Sequence, residues 1–227
     1  MLFSNKRGNP KLNVNIHNIH LEEKEVVTFL GVQIDNKLLW KSHIKHICSK
    51  ISKSIGILRL LRYSFPKHVL KMIYMSLIYS YINYCNVVWG SACNSHLKPL
   101  VILQKKAVRI INRSSYDAHS APIFHSLNLL NISNIHKLNC LTFMYNSLTK
   151  NKFPIFRERI LANASSHEYN TRHRGQLNPP FERLEICRRS FLYKGIGLWN
   201  NLDEDVKSSN FNYFKKTIKC KLIGGSE

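Results

Sequence analysis

Clustered carboxylates are the first residues in this sequence that could carry chemistry, because two-metal phosphoryl-transfer sites hold their ions with Asp and Glu oxygens. The candidates are Glu22, Glu23 and Glu25, the run 203–205 (Asp-Glu-Asp), and Asp35, which follows a strand-like segment. The glutamates fall at the edge of a predicted hairpin, and the run falls in a polar connection before a helix. We therefore interpret both groups as solvated charge and Asp35 as a turn or cap residue.

His43, His46 and Cys48 suggest a metal site, because side chains three residues apart on a helix can reach one ion. Cys48, however, falls on the apolar face of that helix, and no further pair of ligands is spaced to complete four. The sequence also has no GxSxG, P-loop or GxGxxG motif. We expect no metal or cofactor to be bound by this chain.

The segment 11–35 is predicted to form an N-terminal β-hairpin. "KLNVNI" and "VVTFLGVQID" alternate apolar and polar residues, and His17-Asn18 is a plausible turn between them. In the second strand, Val26, Leu30, Val32 and Ile34 are expected on one buried face. A lone hairpin is marginally stable, so these strands resemble part of a larger sheet.

Three helices are predicted next, over 41–62, 66–88 and 95–113, each with apolar residues at three- and four-residue spacing. Gly56 interrupts the first, and close packing against a neighbour would explain it. Beyond residue 115 we expect a short helical turn, then a helix capped by Ser133. "SFLYKGIGLWNNL" is read as a buried strand or loop, and "NFNYFKKTIKCKLI" as a final short helix. The fold class is therefore mainly α with an N-terminal β-hairpin, an α+β fold.

The net charge is the most unusual property of the composition. The 227 residues contain 34 Lys and Arg against 13 Asp and Glu, a net charge of +21. Residues 36–157 hold 18 of these cations and one acid, Asp117, a local net charge of +17. Such a field favours a polyanionic partner, nucleic acid first and an acidic membrane surface second.

The third predicted helix carries much of this charge on one face. At about 100° per residue, its cations gather opposite the apolar stripe. They are Lys98, Lys105, Lys106, Arg109 and Arg113.

The start of the chain has no apolar signal-peptide segment, so an intracellular location, nuclear or cytoplasmic, is expected rather than secretion. The six cysteines show no CxxC spacing and are interpreted as small buried hydrophobes in a reducing compartment. The apolar stretch 69–89 is interrupted by Lys71 and Asn83, so a buried helix fits better than a membrane span.

Eight ordered blocks of the sequence resemble reverse transcriptases of non-LTR retrotransposons, of the jockey-like kind. They are "FLGVQIDNKLLWKSHI", "KISKSIGIL", "YSYINYCNVVWG", "LQKKAVRII", "HSAPIFHSLNLLNI", "HEYNTR", "GIGLWNNL" and "FKKTIKCKL". The resemblance covers nearly the whole chain and matches the end of the palm, the thumb and the region after it.

The resemblance implies a division into three parts. Residues 1–37 would be the end of the palm, 38–115 a three-helix thumb bundle, and 116–227 a mixed helical C-terminal region of unknown role. Phe29, Leu30 and Gly31 match the primer-grip hairpin. Lys41 and Lys45 on the first helix, with the cations of the third, would contact a primer–template duplex, either RNA–DNA or DNA.

The catalytic carboxylates of this family belong to palm motifs that precede the matched region, and this chain contains no Asp-Asp dipeptide. We therefore expect a fragment of an RNA-directed DNA polymerase that binds nucleic acid without catalysing synthesis. The resemblance implies Mg²⁺ only in an intact family member, and it implies a separate palm-containing polypeptide as a partner. The alternative function is a domesticated, non-catalytic interaction protein that binds acidic partners or a membrane surface through its basic helices.

Overall fold

A computed structural model describes residues 1, 3, 14–16, 19–20, 22–162 and 176–225 of this chain. The N-terminal part contains two short antiparallel hairpins, β1 (Asn15–Ile16) with β2 (Ile19–His20) and β3 (Val26–Phe29) with β4 (Val32–Asp35). The other regular secondary structure in the described residues is helical. The expected mainly α fold with an N-terminal hairpin is confirmed.

The predicted single strand "VVTFLGVQID" is wrong, because the chain reverses direction in its middle. Leu30 and Gly31 both have positive φ, 47° and 78°, and form the two-residue turn between β3 and β4. This reversal also separates the residues expected on one face: Val32 is buried, whereas Val26 and Leu30 are exposed. Asn15 and Ile16 pair with His20 and Ile19, so their predicted pairing with 26–34 is wrong. Residues 11–13 and the predicted turn His17-Asn18 lie outside the described residues.

Five helices and one π-helical segment follow the hairpins. They are α1 (Lys41–Leu61), α2 (Lys67–Tyr74), the π-helical segment (Met75–Tyr79), α3 (Ser80–Asn83), α4 (Asn86–Trp89) and α5 (Asn94–Asn112). The predicted first and third helices are therefore confirmed within one residue at each end. The second is broken near its end, where Cys85 takes a left-handed conformation with φ of 48°.

The π-helical segment is accommodated by a side chain of α1. A π turn disturbs the regular i→i−4 ladder and leaves backbone carbonyls to find other donors. The buried Ser54 hydroxyl donates to the Leu77 carbonyl, 3.2 Å away, as well as to the carbonyl of Lys50 in its own helix. This contact joins α1 to the middle of the second helical stretch.

Gly56 does not serve the packing role expected of it. It lies on the exposed surface of α1, and a Cβ built on it would meet nothing within 4 Å. No close neighbour therefore explains a glycine at this position.

The C-terminal part contains seven helices in the described ranges. They are α6 (Ser120–Ser126), α7 (Ile132–Leu148), α8 (Pro154–Ala162), α9 (Glu185–Arg188), α10 (Phe191–Asn200), α11 (Glu204–Ser208) and α12 (Phe211–Gly224). Asn131, not Ser133, caps α7, because its side-chain oxygen accepts the Asn134 amide N–H at 2.9 Å. The segment read as a buried strand or loop is the helix α10.

One continuous set of buried apolar residues joins the two helical parts. It runs from Ile51 and Leu58 of α1, through Leu100 of α5, to Ile135 of α7 and Phe214 of α12. α7 lies at the centre of the C-terminal half, packing against α4, α10 and α12. The three-part division of the chain stays a prediction.

The cysteines are less buried than the sequence predicted. All six thiols are free, and only Cys140 is buried, whereas Cys85 and Cys220 are exposed. The interpretation as small buried hydrophobes is therefore wrong for Cys85 and Cys220, which lie on helix surfaces or breaks. Among the described helices, none combines the length and apolar character needed to cross a bilayer.

Candidate nucleic-acid interface

The connection between β4 and α1 is organised by Asp35. Its carboxylate accepts backbone N–H groups of Lys37, Leu39 and Trp40 at 3.2, 2.9 and 2.7 Å. Trp40, the N-cap residue of α1, has no capping side chain of its own and lies at a φ of 63°. The carboxylate therefore supplies the acceptor that the start of the helix lacks, and the prediction that Asp35 is a turn or cap residue is confirmed.

His43 joins the same hairpin to the first turn of α1. It is buried, packs edge-on against Trp89, and accepts the Gln33 amide N–H at Nδ1, 3.3 Å away. Burial, with the charge of His46 adding to it, lowers the pKa of His43 to about 4. Within the described residues, no group of three His, Cys, Asp or Glu side chains is arranged to hold a metal ion.

The tip of the β3–β4 hairpin is exposed at all three residues matched to the primer grip. Phe29 is 63% exposed and Leu30 is 74% exposed, with Gly31 beside them in the turn. The Tyr84 hydroxyl, at the end of α3, donates to the Leu30 carbonyl at 2.6 Å. This bond between residues far apart in sequence fixes the tip against the helical bundle.

Lys41 and Lys45 are exposed on the first two turns of α1, one helical turn apart. The first turn contains no acidic residue. A lysine adds to the positive end of the helix dipole, which is mildly destabilising unless an anion lies nearby. The start of α1 is thus electrostatically suited to an anionic ligand.

The five cations predicted on the third helix divide into two groups. Lys98 and Lys105 are exposed on α5, and Lys106 is half-buried. In the described part of the chain, none of these three lysines forms an ion pair; the pairs found there are Arg189–Glu185, Lys207–Glu204 and Lys221–Asp203. The lysines are therefore available for an anion from outside the chain.

The two arginines of the set bind the protein's own backbone. Arg109 donates through Nε to the Ala118 carbonyl at 2.8 Å. Arg113 ends α5 in a left-handed conformation and donates to the carbonyls of Arg62 and Phe65 at 3.1 and 2.9 Å. These contacts hold the loops after α1 and α5, so the arginines have a structural task that their helical positions alone did not indicate.

Gln104, which lies in the apolar sector of α5, is a buried bridge between three elements. Its amide nitrogen donates to the Tyr74 hydroxyl and the Leu130 carbonyl at 2.9 and 3.0 Å. Its oxygen accepts the Ile132 amide N–H at 3.0 Å. These hydrogen bonds join α5 to α2 and to the start of α7. They therefore fix the orientation of the exposed face of α5.

A groove of about 670 Å³ runs between α5 and α7, and three lysines line it. Lys98 and Lys105 come from α5, and the third, Lys194, comes from α10. Sequence reasoning missed Lys194, because its segment was read as a strand or loop. A helix would have had to be predicted for that segment before Lys194 could be assigned to a helix face.

A second cavity, of about 580 Å³, has a different chemical character. It lies between α4, the start of α5 and the region of α9 and α10, and is lined by apolar side chains such as Trp40, Phe143 and Phe191. The arginine that lines it, Arg189, is paired with Glu185 at 3.0 Å. Of the two, the lysine-lined groove is the one suited to a polyanion.

Comparison with known proteins identifies a distant, transposon-encoded relative. The sequence is 25% identical over 133 residues to the probable RNA-directed DNA polymerase from transposon X-element of Drosophila melanogaster. The aligned part covers 57% of this chain and 14% of that protein. The similarity supports a relationship to reverse transcriptases. No protein-family model matches the sequence, and no solved structure matches it.

Proposed function

We propose that this chain corresponds to the thumb and C-terminal region of a jockey-like, non-LTR retrotransposon reverse transcriptase, and that it binds primer–template nucleic acid without catalysing synthesis. The exposed lysines of α5 carry the proposal. Lys98 and Lys105 lie on one face of a helix that is locked in place by Gln104. They belong to a stretch, 36–157, with a net charge of +17.

The hairpin tip and the start of α1 would extend the same binding surface. Phe29 and Leu30 are exposed beside Tyr84, and large exposed apolar side chains commonly mark interaction sites. Lys41 and Lys45 add positive charge next to the junction that Asp35 organises. In this proposal the duplex lies along α5 and reaches the hairpin, and phosphate contacts set the affinity.

The test compares two triple variants of the full chain with an RNA–DNA heteroduplex over a series of salt concentrations. One replaces Lys98, Lys105 and Lys106 by glutamine. The other replaces the exposed lysines Lys137, Lys215 and Lys216, which lie on α7 and α12. Both remove the same charge, and Arg109 and Arg113 are kept because they hold backbone carbonyls.

The α5 variant should lose more affinity than the control and show a smaller log–log salt slope. Each lost phosphate contact lowers that slope by roughly 0.9 for a B-form duplex, so three contacts correspond to a change of about 2.7. Equal losses in the two variants would contradict the proposal and indicate attraction by total charge. Stronger binding to acidic vesicles than to heteroduplex would favour the domesticated interaction protein instead.

A further inference from the structure

Lys194 belongs to the C-terminal region but lies on the same groove as two lysines of α5. The groove is also lined by Ser133 and His136 from α7, so the three helices α5, α7 and α10 surround it. Lys98, Lys105 and Lys194 are all exposed. The groove therefore brings cations from two distant parts of the sequence to one surface.

Tight packing of α10 on α7 fixes the position of Lys194. Gly195, the next residue, is buried, and a Cβ built on it would lie 3.3 Å from Sδ of Met144. This contact sets α10 against the last turns of α7, and Lys194 lines the groove together with His136 from the first turns of that helix. Burial, with the charge of Lys194 adding to it, lowers the pKa of His136 to about 4. Lys194 is thus an exposed cation on the groove lining, close enough to His136 for its charge to act on the imidazole.

The charge of these lysines is not balanced inside the protein. In the described part of the chain, no carboxylate lies within ion-pair distance of any of the three. Like charges gathered at one concave surface raise its potential and attract anions. The groove is therefore suited to a ligand with several negative charges.

The spacing and lining of the groove favour a phosphate backbone over a base-reading site. Lys98 and Lys105 are seven residues apart on α5, about 10.5 Å along the helix axis. That is roughly the rise of three nucleotides of one strand at 3.4 Å each. The remaining lining combines aliphatic residues such as Leu97 and Val101 with polar ones such as Ser95 and Ser133, and includes no Phe, Tyr or Trp on which a base could stack. Lysine ammonium groups act as point charges on phosphates without reading sequence.

We propose that Lys194 completes, with Lys98 and Lys105, a groove that binds the nucleic-acid phosphate backbone, so that the C-terminal region holds the same strand as α5. This inference rests on the proposed function of α5. The region after residue 115 would then contact nucleic acid directly, without reading its base sequence.

The experiment uses single variants of the full chain and an RNA–DNA heteroduplex titrated at a series of salt concentrations. Lys194→Gln removes the proposed contact, and Lys194→Arg retains the charge. Lys137→Gln, an exposed lysine of α7 outside the groove lining, is the matched control. A double variant, Lys98→Gln with Lys105→Gln, tests α5 alone. Circular dichroism melting curves verify that each variant is folded.

We expect Lys194→Gln to lower the salt slope by roughly 0.9 and to weaken binding several-fold more than Lys137→Gln. Lys194→Arg should bind like the unchanged chain. If Lys194→Gln matches the control while the α5 double variant still loses slope, this inference is wrong and the proposed function stands. If the α5 double variant also matches the control, the proposed function itself fails. The assignment to nucleic acid would be overturned by two results together: the chain binds phosphatidylserine vesicles more tightly than heteroduplex, and Lys194→Gln weakens both kinds of binding equally.

Discussion

The amide N–H of Gln33 donates to Nδ1 of His43, 3.3 Å away, and this bond ties the outer edge of β4 to the first helix. Because Nδ1 is the acceptor, the imidazole proton is on Nε2, which has no hydrogen-bond partner among the described residues. Adding a second proton at Nδ1 would remove the acceptor. The attachment of the hairpin therefore depends on a neutral histidine.

Acidification should weaken this attachment. The pKa of His43 is lowered to about 4 in the folded protein, mainly by burial, against 6.5 for an unperturbed histidine. Between these values the unfolded state binds more protons, so stability falls as pH decreases from 6.5 towards about 4. The loss is at most about 3 kcal/mol for one such group. Urea unfolding measured across this pH range checks the direction.

The variant His43→Gln isolates this residue. Glutamine keeps a side-chain acceptor but does not titrate, so the pH dependence of its unfolding free energy should be shallower. Part of the dependence should persist, because burial also lowers the pKa of His136 to about 4. A variant with the full pH dependence of the unchanged chain would show that His43 does not couple protonation to folding.

Removing the Asp35 carboxylate should destabilise the junction of β4 and α1. Asp35→Ala leaves three backbone N–H groups without their acceptor, and one of them belongs to Trp40, the N-cap residue of α1. Loss of a helix cap typically costs about 1–2 kcal/mol. Chemical denaturation measures the change, and Glu23→Ala, an exposed acid of the same region, is the control. A difference of less than about 0.5 kcal/mol between the two variants would contradict the role given to Asp35.

Gly90→Ala should separate α4 from α7. An added Cβ would lie 2.5 Å from the Asn86 carbonyl oxygen and 2.5 Å from Nδ1 of His136, which are closer than such atoms approach. His136 also contacts the Asn86 carbonyl through Nδ1 at 3.1 Å, so the displacement would break a buried hydrogen bond. We expect a loss of about 2–3 kcal/mol in the free energy of unfolding. An unchanged melting temperature would contradict the close packing of Gly90 against Asn86 and His136.

Gly56→Ala should have the opposite effect. The position is exposed in the middle of α1, and its Cβ would meet no atom within 4 Å. Alanine is favoured over glycine in a helix interior by about 0.5–1 kcal/mol, so the variant should melt at a higher temperature. Measuring nucleic-acid affinity with the same protein separates stability from function. A destabilised variant would mean that an unidentified contact requires glycine here.

Much of the helical bundle follows from apolar periodicity. The stripes of α1 and α5 are regular enough that their ends were predicted within one residue, because a buried face requires apolar side chains every three or four residues. The excess of positive charge, and its concentration in 36–157, is also a property of sequence alone. The periodicity predicted the fold class, and the charge predicts a polyanionic partner, which stays a prediction.

The turn at Leu30 and the helix α10 required the tertiary structure. Leucine rarely adopts positive φ, and its carbonyl is held by the hydroxyl of Tyr84, a residue 54 positions away. The two glycines of "KGIG" oppose helix formation, yet Gly195 allows α10 to pack closely on Met144 of α7. In both cases a contact remote in sequence outweighs the local preference.

The sequence determined how many cations this region carries, but the fold alone decided what each of them does. Arg109 and Arg113 share a helix face with Lys98 and Lys105, yet the arginines bind backbone carbonyls of the chain. Lys194 lies far away in sequence and still reaches the groove beside α5. The physical reason is that helical periodicity fixes only the direction of a side chain from its own axis. Which carbonyl, carboxylate or open groove lies in that direction depends on how the helices pack against one another.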